Sequence, residues 1–330
     1  MKKFKKLSLA IFLTSATLLT ACSPKKTENT KKIKVVASIY PAYDWIRQIM
    51  KDQFKNAEVH FLLDNGIDMH SYQASVEDIA KIKEADLFVH AGGESDEWVE
   101  NALKDPKNPQ RKVVNMINTI GKKALKEELV EGMQDTDHEH EHEHEHEHEH
   151  EEEPAFDEHV WLSLDNAKTI VQSISTQLQE LDPDHKDQYK QNTKEYLDQL
   201  DQLNQKYKTL SQSTSLKNLV FADRFPFRYL THEYGWNYFA AFSGCSAEAE
   251  CSFETIAFLA KKVDELGLKN ILVIDHSNQK IAKTVIENTK NKNQGILVLD
   301  SLQTSKSTDQ TSYLEAMTKN LESLKTYLKN

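Results

Sequence analysis

The sequence predicts an α/β protein with two halves, each built on a mostly parallel sheet, on either side of one long helix. In both halves, short runs rich in Val, Ile and Leu alternate with longer amphipathic runs, the order expected when helices cover a parallel sheet. The middle of the chain contains a long amphipathic stretch without Gly or Pro, which predicts a rigid helix and not a flexible linker.

The N-terminal half begins with an apolar, β-branched strand, and a helix follows that can open at Pro41, whose fixed φ suits the first helical turn. Amphipathic segments predict two further helices, Val76–Ala85 and Trp98–Leu103. The predicted strands of this half are Ile33–Ile39, Val59–Leu63, Leu87–Ala91 and Val113–Ile117.

The middle segment predicts two helices in succession. The first covers Asp165–Leu181 and stops at Asp182-Pro183. In the second, from Asp184 to about Leu210, apolar side chains recur nearly every three and a half residues, which gives a linking helix over 184–211 about 40 Å long. Its apolar positions are Tyr189, Tyr196, Leu200, Leu203, Tyr207 and Leu210.

The C-terminal half repeats the alternation. Its predicted strands are Asn218–Ala222, Trp236–Phe242, Asn270–Ile274 and Ile296–Leu299, and its predicted helices are Tyr229–Tyr234, Phe253–Leu266, Ile281–Thr289 and one from about Thr311. The predicted lobes are therefore residues 33–183 and 212–330.

Composition and the N-terminus indicate the class of protein. A net charge of −11 argues against a nucleic-acid-binding protein, and three Cys are too few for a disulfide scaffold. Residues 1–22 combine four Lys, an apolar stretch too short to span a bilayer and the ending Leu19-Thr20-Ala21-Cys22, which looks like a bacterial lipobox. We expect a lipid on Cys22, a flexible tether over 23–32 and an extracytoplasmic location.

The segment 137–153 alternates His with Glu and cannot build a packed core. Imidazoles and carboxylates are both zinc ligands, so the segment is predicted to be a disordered insert that collects metal. Its seven imidazoles belong to His138, His140, His142, His144, His146, His148 and His150. An acidic spacer is the alternative.

Two cysteines remain, Cys245 and Cys251. In an oxidising compartment a disulfide between them is expected. A metal site made of these thiols alone is less favoured, because they lack the closely spaced partners of a zinc knuckle.

Two short motifs each place one His in a loop at a predicted strand end, where α/β sheets bind ligands. They are Gly66-Ile67-Asp68-Met69-His70-Ser71-Tyr72 and Asp157-Glu158-His159-Val160-Trp161-Leu162. A single such His is usually a surface or capping residue, but the lipobox and the His-rich segment favour metal binding here.

These features together resemble the metal-binding lipoproteins of zinc and manganese ABC importers over essentially the whole mature chain. The two motifs match that family's first two His-ligand segments, and a His-rich loop just before His159 is typical of zinc-type members. Gly92-Gly93 followed by Trp98 also looks like the family. The resemblance implies two α/β lobes joined by one long helix, with His70 and His159 as metal ligands.

The resemblance also implies two ligands from the C-terminal lobe. The fourth closes a strand and is matched by Asp275. The third is a His or Glu, and counting back from Tyr234-Gly235 puts Arg224 there, which stays protonated and has no lone pair to give. Asp223 is slightly preferred as its substitute over His276, a water or a His of the insert. Arg224 could instead pair with Asp223 or Asp275.

The function implied by the resemblance is a receptor, not an enzyme, that captures Zn(II) between the lobes and delivers it to a membrane ABC permease, with a monomer as the default. A manganese-type receptor is the alternative, because two His and two carboxylates form a harder donor set, whereas the His-rich segment favours zinc. An extracellular zinc hydrolase with Glu158 as base and a surface adhesin are rivals. Outside the insert no His-Glu-x-x-His run supports the hydrolase, and no repeat or stalk supports the adhesin.

Overall fold

The computed structural model describes residues 32–134, 155–246, 250–309 and 311–329. The predicted signal peptide with Cys22, the predicted tether up to residue 31 and the His/Glu-rich segment lie outside the described residues. From Lys32 onwards the chain forms one compact unit. Within it, two four-stranded parallel sheets are joined by a long helix, as the sequence predicts.

The N-terminal lobe is a parallel sheet in the order β2-β1-β3-β4 with helices around it. Its strands are β1 Lys34–Ala37, β2 Glu58–Phe61, β3 Leu87–His90 and β4 Lys112–Asn115. Its helices are α1 Tyr40–Met50, α2 Val76–Glu84, α3 Glu97–Leu103, α4 Met116–Ile120 and α5 Leu164–Leu181. Pro41 lies in the first turn of α1, as expected.

The fourth strand is shorter than predicted. It ends at Asn115, whose side-chain oxygen accepts a hydrogen bond from the backbone N–H of Asn118 and so caps α4. The prediction of strand at Met116 and Ile117 is wrong, because an apolar run fits a buried helix as well as a buried strand.

Helix α6, Lys186–Ser213, joins the lobes. Its 28 residues make a rod about 42 Å long, and all six predicted apolar positions are buried. Asn192 donates a hydrogen bond to the Ile49 carbonyl at the end of α1, and Tyr207 donates one to the Met317 carbonyl in the C-terminal lobe. The helix is thus fixed to both lobes. Among the described residues, no helix has both the length and the apolar content needed to cross a membrane.

The C-terminal lobe repeats the topology of the first, with the order β6-β5-β7-β8. Its strands are β5 Asn218–Phe225, β6 Asn237–Ser243, β7 Asn270–Ile274 and β8 Gly295–Leu299. Its helices are α7 Arg228–Tyr234, α8 Phe253–Glu265, α9 Lys280–Glu287 and α10 Tyr313–Leu328. Strand β5 continues past the predicted end at Ala222, with an irregular register between Phe221 and Arg224.

Buried hydrogen bonds connect the two lobes next to the second His motif. The Trp161 indole N–H donates to the Ser301 carbonyl at 2.9 Å, and the Tyr313 hydroxyl donates to the Trp161 carbonyl at 2.6 Å. Both aromatic side chains are fully buried. The residues just after His159 are therefore held in place by the C-terminal lobe.

Candidate metal centre

His70 lies in a short turn, Met69–Ser71, in the loop that follows β2. The Asp68 carboxylate accepts a hydrogen bond from the backbone N–H of His70 at 3.1 Å and caps this turn. The ring Nδ1 lies 2.8 Å from the Ser95 hydroxyl oxygen. The imidazole is thus fixed through Nδ1, which leaves Nε2 for another partner.

His159 is fully buried and is held in the same manner. One Asp157 oxygen, Oδ1, accepts from both the backbone N–H of His159 at 2.9 Å and its ring Nδ1 at 3.0 Å. A carboxylate on Nδ1 orients the ring and makes Nε2 a better metal ligand. After the turn Val160–Leu162, Ser163 caps α5 and anchors the motif to a long helix.

The two free ring nitrogens face each other. His70 Nε2 and His159 Nε2 are 3.2 Å apart. Two imidazoles on a tetrahedral zinc ion, with Zn–N bonds of about 2.0–2.1 Å, have nitrogens about 3.3 Å apart. Gln303 Nε2 lies 3.3 Å from His70 Nε2 and bonds its lone pair. A metal ion bound to His70 Nε2 would replace Gln303 as the partner of that lone pair. The predicted pair of His ligands is thus brought together with the spacing that a shared metal ion requires.

The pKa values around the pair reflect burial and neighbouring charge. Burial, reinforced by the charge of His159, lowers the pKa of His70 to about 3, so this ring is neutral at pH 7. Burial also lowers the pKa of His159, but Asp157 outweighs it and the net pKa is raised. Burial raises the pKa of Glu158 to about 7. Glu158 accepts a hydrogen bond from the Ser95 N–H at 2.6 Å and lies 4.0 Å from His70 Nδ1.

Cys245 lies beside the two His side chains. Among the residues that the structure describes, the group of potential metal ligands with atoms within 4.8 Å of one another consists of His70, His159 and Cys245. Sequence reasoning did not predict this contact. The only signal in the sequence is a Cys next to a Gly just after a predicted strand of the second lobe, and it predicts half of a disulfide instead.

The expected Cys245–Cys251 disulfide is not formed, and both thiols are free. The Cys245 thiol lies close to the Glu127 side chain, whereas Cys251 lies close to Thr255 in α8. Burial, together with the nearby Glu158 and Glu127, raises the pKa of Cys245 well above its usual value. The thiol is therefore neutral at pH 7, and a metal ion would displace its proton on binding.

The three other predicted ligands line a neighbouring cavity of about 380 Å³ that His70 also lines. Asp275 accepts hydrogen bonds from the Ser301 N–H and hydroxyl through Oδ1 and from the Thr304 hydroxyl through Oδ2. Asp223 accepts from the backbone N–H of Arg224, and burial raises its pKa. The His276 side chain is 73% exposed. Asp275, Asp223 and His276 do not belong to the group around His70 and His159.

Arg224 pairs with neither Asp223 nor Asp275, the two partners that the sequence suggests for it. Its Nη2 lies 2.6 Å from Asp68 Oδ2, across the interface between the lobes, and its Nη1 donates to the Ser246 carbonyl at 3.3 Å. Burial raises the pKa of Asp68, but Arg224 and His70 outweigh it and the net pKa is lowered. Neither Asp223 nor Asp275 forms the ion pair. Arg224 lies in β5 and connects the His70 loop to the Cys245 loop.

A comparison with protein families matches residues 35–327 to the family described as zinc-uptake complex component A, periplasmic. The high-affinity zinc uptake system protein ZnuA of Bacillus subtilis strain 168 is 31% identical over 328 residues, which cover 98% of each chain. The zinc-binding lipoprotein AdcA of Streptococcus pneumoniae R6 is 30% identical over 97% of this chain, and the match spans 60% of AdcA.

Solved structures of similar fold also match this chain. The Zn(II)-bound ZnuA-like domain of Streptococcus pneumoniae AdcA matches with a TM-score of 0.69 and 26% identity, covering 91% of this chain and 100% of that one. The laminin-binding protein of Streptococcus agalactiae, described as a bifunctional protein with adhesin and metal-transporting activity, matches with a TM-score of 0.69 and 25% identity over 90% of this chain and 99% of its own.

Proposed function

This chain belongs to the family of zinc-uptake complex component A, and from that membership we propose that it is the extracytoplasmic receptor that captures Zn(II) between its two lobes and delivers it to an ABC permease. The observation that carries the proposal is the pair of His70 and His159 Nε2 atoms 3.2 Å apart. Each ring is oriented through its other nitrogen, the arrangement of metal-binding His.

The identity of the metal follows from the donors and from the relatives. Imidazole suits zinc, and manganese is favoured by carboxylate and water ligands. The predicted carboxylate Asp275 has both oxygens engaged by Ser301 and Thr304, which weakens the argument for a manganese-type site. Asp275, Asp223 and His276 remain predicted ligands for the coordination positions that the His pair leaves.

The His/Glu-rich insert is proposed to collect zinc near this site. The described residues at the two ends of the insert support this. After the insert, Ala155 leads into the His159 motif, and its carbonyl accepts from the Glu127 N–H. Before the insert, the Gln134 N–H donates to the Ala241 carbonyl in β6. The seven imidazoles would raise the local zinc concentration without forming the tight site.

The lipid anchor on Cys22 and the monomeric state are also proposals. The lipobox-like ending of the N-terminal segment supports the anchor. A Cys22→Ser variant should be released from bacterial membranes into the soluble fraction, whereas the parent chain should stay with them. Light scattering of the soluble variant should give the mass of one chain.

The zinc site is tested by titration with zinc and manganese in competition, using the chain without residues 137–153 so that the insert does not contribute. We expect one tightly bound zinc ion that manganese does not displace. Changing both His70→Ala and His159→Ala should weaken zinc binding by more than about 100-fold, because loss of ligands exceeds the 10–100-fold cost of losing an outer partner.

His232→Ala is the matched control, because this His is exposed on α7, far in sequence from both motifs, and should leave zinc binding unchanged. Tight one-to-one binding in the double His variant would refute the proposed site. A preference for manganese would refute the assignment to zinc.

A further inference from the structure

We propose that Cys245 is the third zinc ligand, so that the site is formed by His70 Nε2, His159 Nε2 and a Cys245 thiolate. The inference rests on the proposed function, because it names a donor for the same interlobe zinc ion. It also explains how the C-terminal lobe contributes a ligand although Arg224 occupies the position where the family resemblance implies a His or Glu.

The distances suit a shared ion. With Zn–N bonds of about 2.0–2.1 Å and a Zn–S bond of about 2.3 Å, tetrahedral geometry puts sulfur about 3.6 Å from each nitrogen. The three donor atoms already lie within 4.8 Å of one another, so small side-chain movements bring all three into bonding distance. Two donors come from the N-terminal lobe and one from the C-terminal lobe, so zinc would join the lobes.

The fold brings Cys245 to this point through two neighbouring strands. Strands β5 and β6 are parallel, with Phe225 beside Ser243, so both end at the same edge of the sheet. Gly244 then passes so close to His159 that an added Cβ would lie 2.9 Å from the ring Cε1 atom. A larger residue at this position would push Cys245 away from the His pair.

Arg224 holds the Cys245 loop in place. Its guanidinium bonds the Ser246 carbonyl, one residue after Cys245, and the Asp68 carboxylate, which caps the His70 turn. The Arg at the expected ligand position therefore fixes the loops of two ligands instead of binding the metal.

The chemistry of binding is balanced within the site. The Cys245 S–H bond breaks as sulfur forms its bond to zinc, and the proton leaves to the nearby Glu127 carboxylate or to water. No oxidant or reductant is needed. A disulfide with Cys251 would remove this donor, so the ligand role requires the free thiols that the structure contains.

The experiment is cobalt titration of the reduced full chain, followed by its absorption spectrum. A thiolate bound to Co(II) gives a charge-transfer band in the near ultraviolet, and His or carboxylate ligands, including those of the insert, do not. The three single variants Cys22→Ser, Cys245→Ser and Cys251→Ser assign the band, and zinc affinity is measured for each by competition with a chelator.

We expect the band in the parent chain, its retention in Cys22→Ser and Cys251→Ser, and its loss in Cys245→Ser together with a fall in zinc affinity of more than about 100-fold. Circular dichroism of the metal-free Cys245→Ser chain checks that it folds. The parent spectrum is a test that does not depend on any variant.

Absence of the band in the reduced parent chain, or its loss in Cys251→Ser as well, would overturn the inference. So would unchanged zinc affinity in Cys245→Ser. Tight zinc binding that still needs His70 and His159 would then leave the proposed function standing, whereas absence of tight binding in the parent chain would refute both.

Discussion

The ion pair between Arg224 and Asp68 should stabilise the packing of one lobe on the other, and Arg224→Ala should lower the free energy of unfolding by about 2 kcal/mol. Breaking a buried pair costs about 3–5 kcal/mol because a charge is left without a partner, whereas an exposed pair contributes about 0–1 kcal/mol. The Arg224 and Asp68 side chains are 19% and 18% exposed, so the cost lies between these limits.

The assay is thermal unfolding of the zinc-free protein followed by circular dichroism, at low and high salt. For a chain of this size, with an unfolding entropy of about 2.1 cal/mol/K per residue, about 2 kcal/mol corresponds to a fall in Tm of about 3 °C. Asp68→Asn and the double variant complete a mutant cycle, because Asn keeps an oxygen that can accept from the His70 N–H. We expect a coupling energy of about 1–2 kcal/mol.

Additive effects in this cycle, or a loss below about 0.5 kcal/mol in Arg224→Ala, would refute the reasoning. Arg224→Ala should still bind one zinc ion, with its affinity reduced by about 10–100-fold, because Arg224 positions ligand loops and is not a ligand. Unchanged affinity would mean that the Asp68 cap and the Cys245 loop do not depend on Arg224.

Three further outcomes are expected. Asp157→Ala should weaken zinc binding by about 10–100-fold because His159 loses the partner of its Nδ1. Asp157→Asn keeps an oxygen that can accept from Nδ1 and should lose less affinity. Isothermal titration measures both affinities, and equal losses in the two variants would contradict the prediction. Glu84 accepts hydrogen bonds from two Lys ammonium groups, which lower its pKa to about 2. A carboxylate whose pKa is lower in the folded state stabilises the protein at pH values above its unfolded pKa, and this stabilisation disappears as pH falls through the folded pKa. Glu84→Gln should therefore lower Tm at pH 7 and lower it progressively less from about pH 4.3 downward, and a Tm difference independent of pH would contradict this. Tyr313→Phe should cost about 1–2 kcal/mol in urea unfolding because the buried Trp161 carbonyl loses its donor, and a neutral result would show that water replaces it.

The strands could be predicted because buried parallel strands are apolar on both faces, and each of the eight strands in the described residues overlaps one predicted run. The strand ends that differ from prediction have local physical causes. β5 continues through Asp223 and Arg224, two polar residues beyond the predicted strand end at Ala222. In the structure these side chains are satisfied by the Arg224 N–H and by Asp68, respectively, and such partners are not visible in a single segment of sequence.

The His ligands could be predicted because each lies in a motif whose neighbours are its own partners. Each motif has an Asp two residues before its His: Asp68 caps the turn that carries His70, and Asp157 orients the His159 ring. Cys245 could not be assigned this way, because its proximity to His159 depends on the packing of one lobe on the other. The same limit applies to Arg224, whose partner Asp68 comes from a distant part of the chain.

A thiolate donor also determines which metal the site prefers, and Cys245→Asp tests this directly. Sulfur ligands select zinc over manganese, whereas carboxylates suit manganese, so exchanging the thiol for a carboxylate of similar size should lower the ratio of zinc to manganese affinity by at least about tenfold. Competitive titration of the two metals measures the ratio, and Cys245→Ser serves as the control that removes sulfur without adding a charge. If Cys245 does not touch the metal, the new carboxylate would act only through its charge and would change both affinities together. An unchanged ratio in Cys245→Asp would therefore contradict coordination by Cys245, even if both affinities rise.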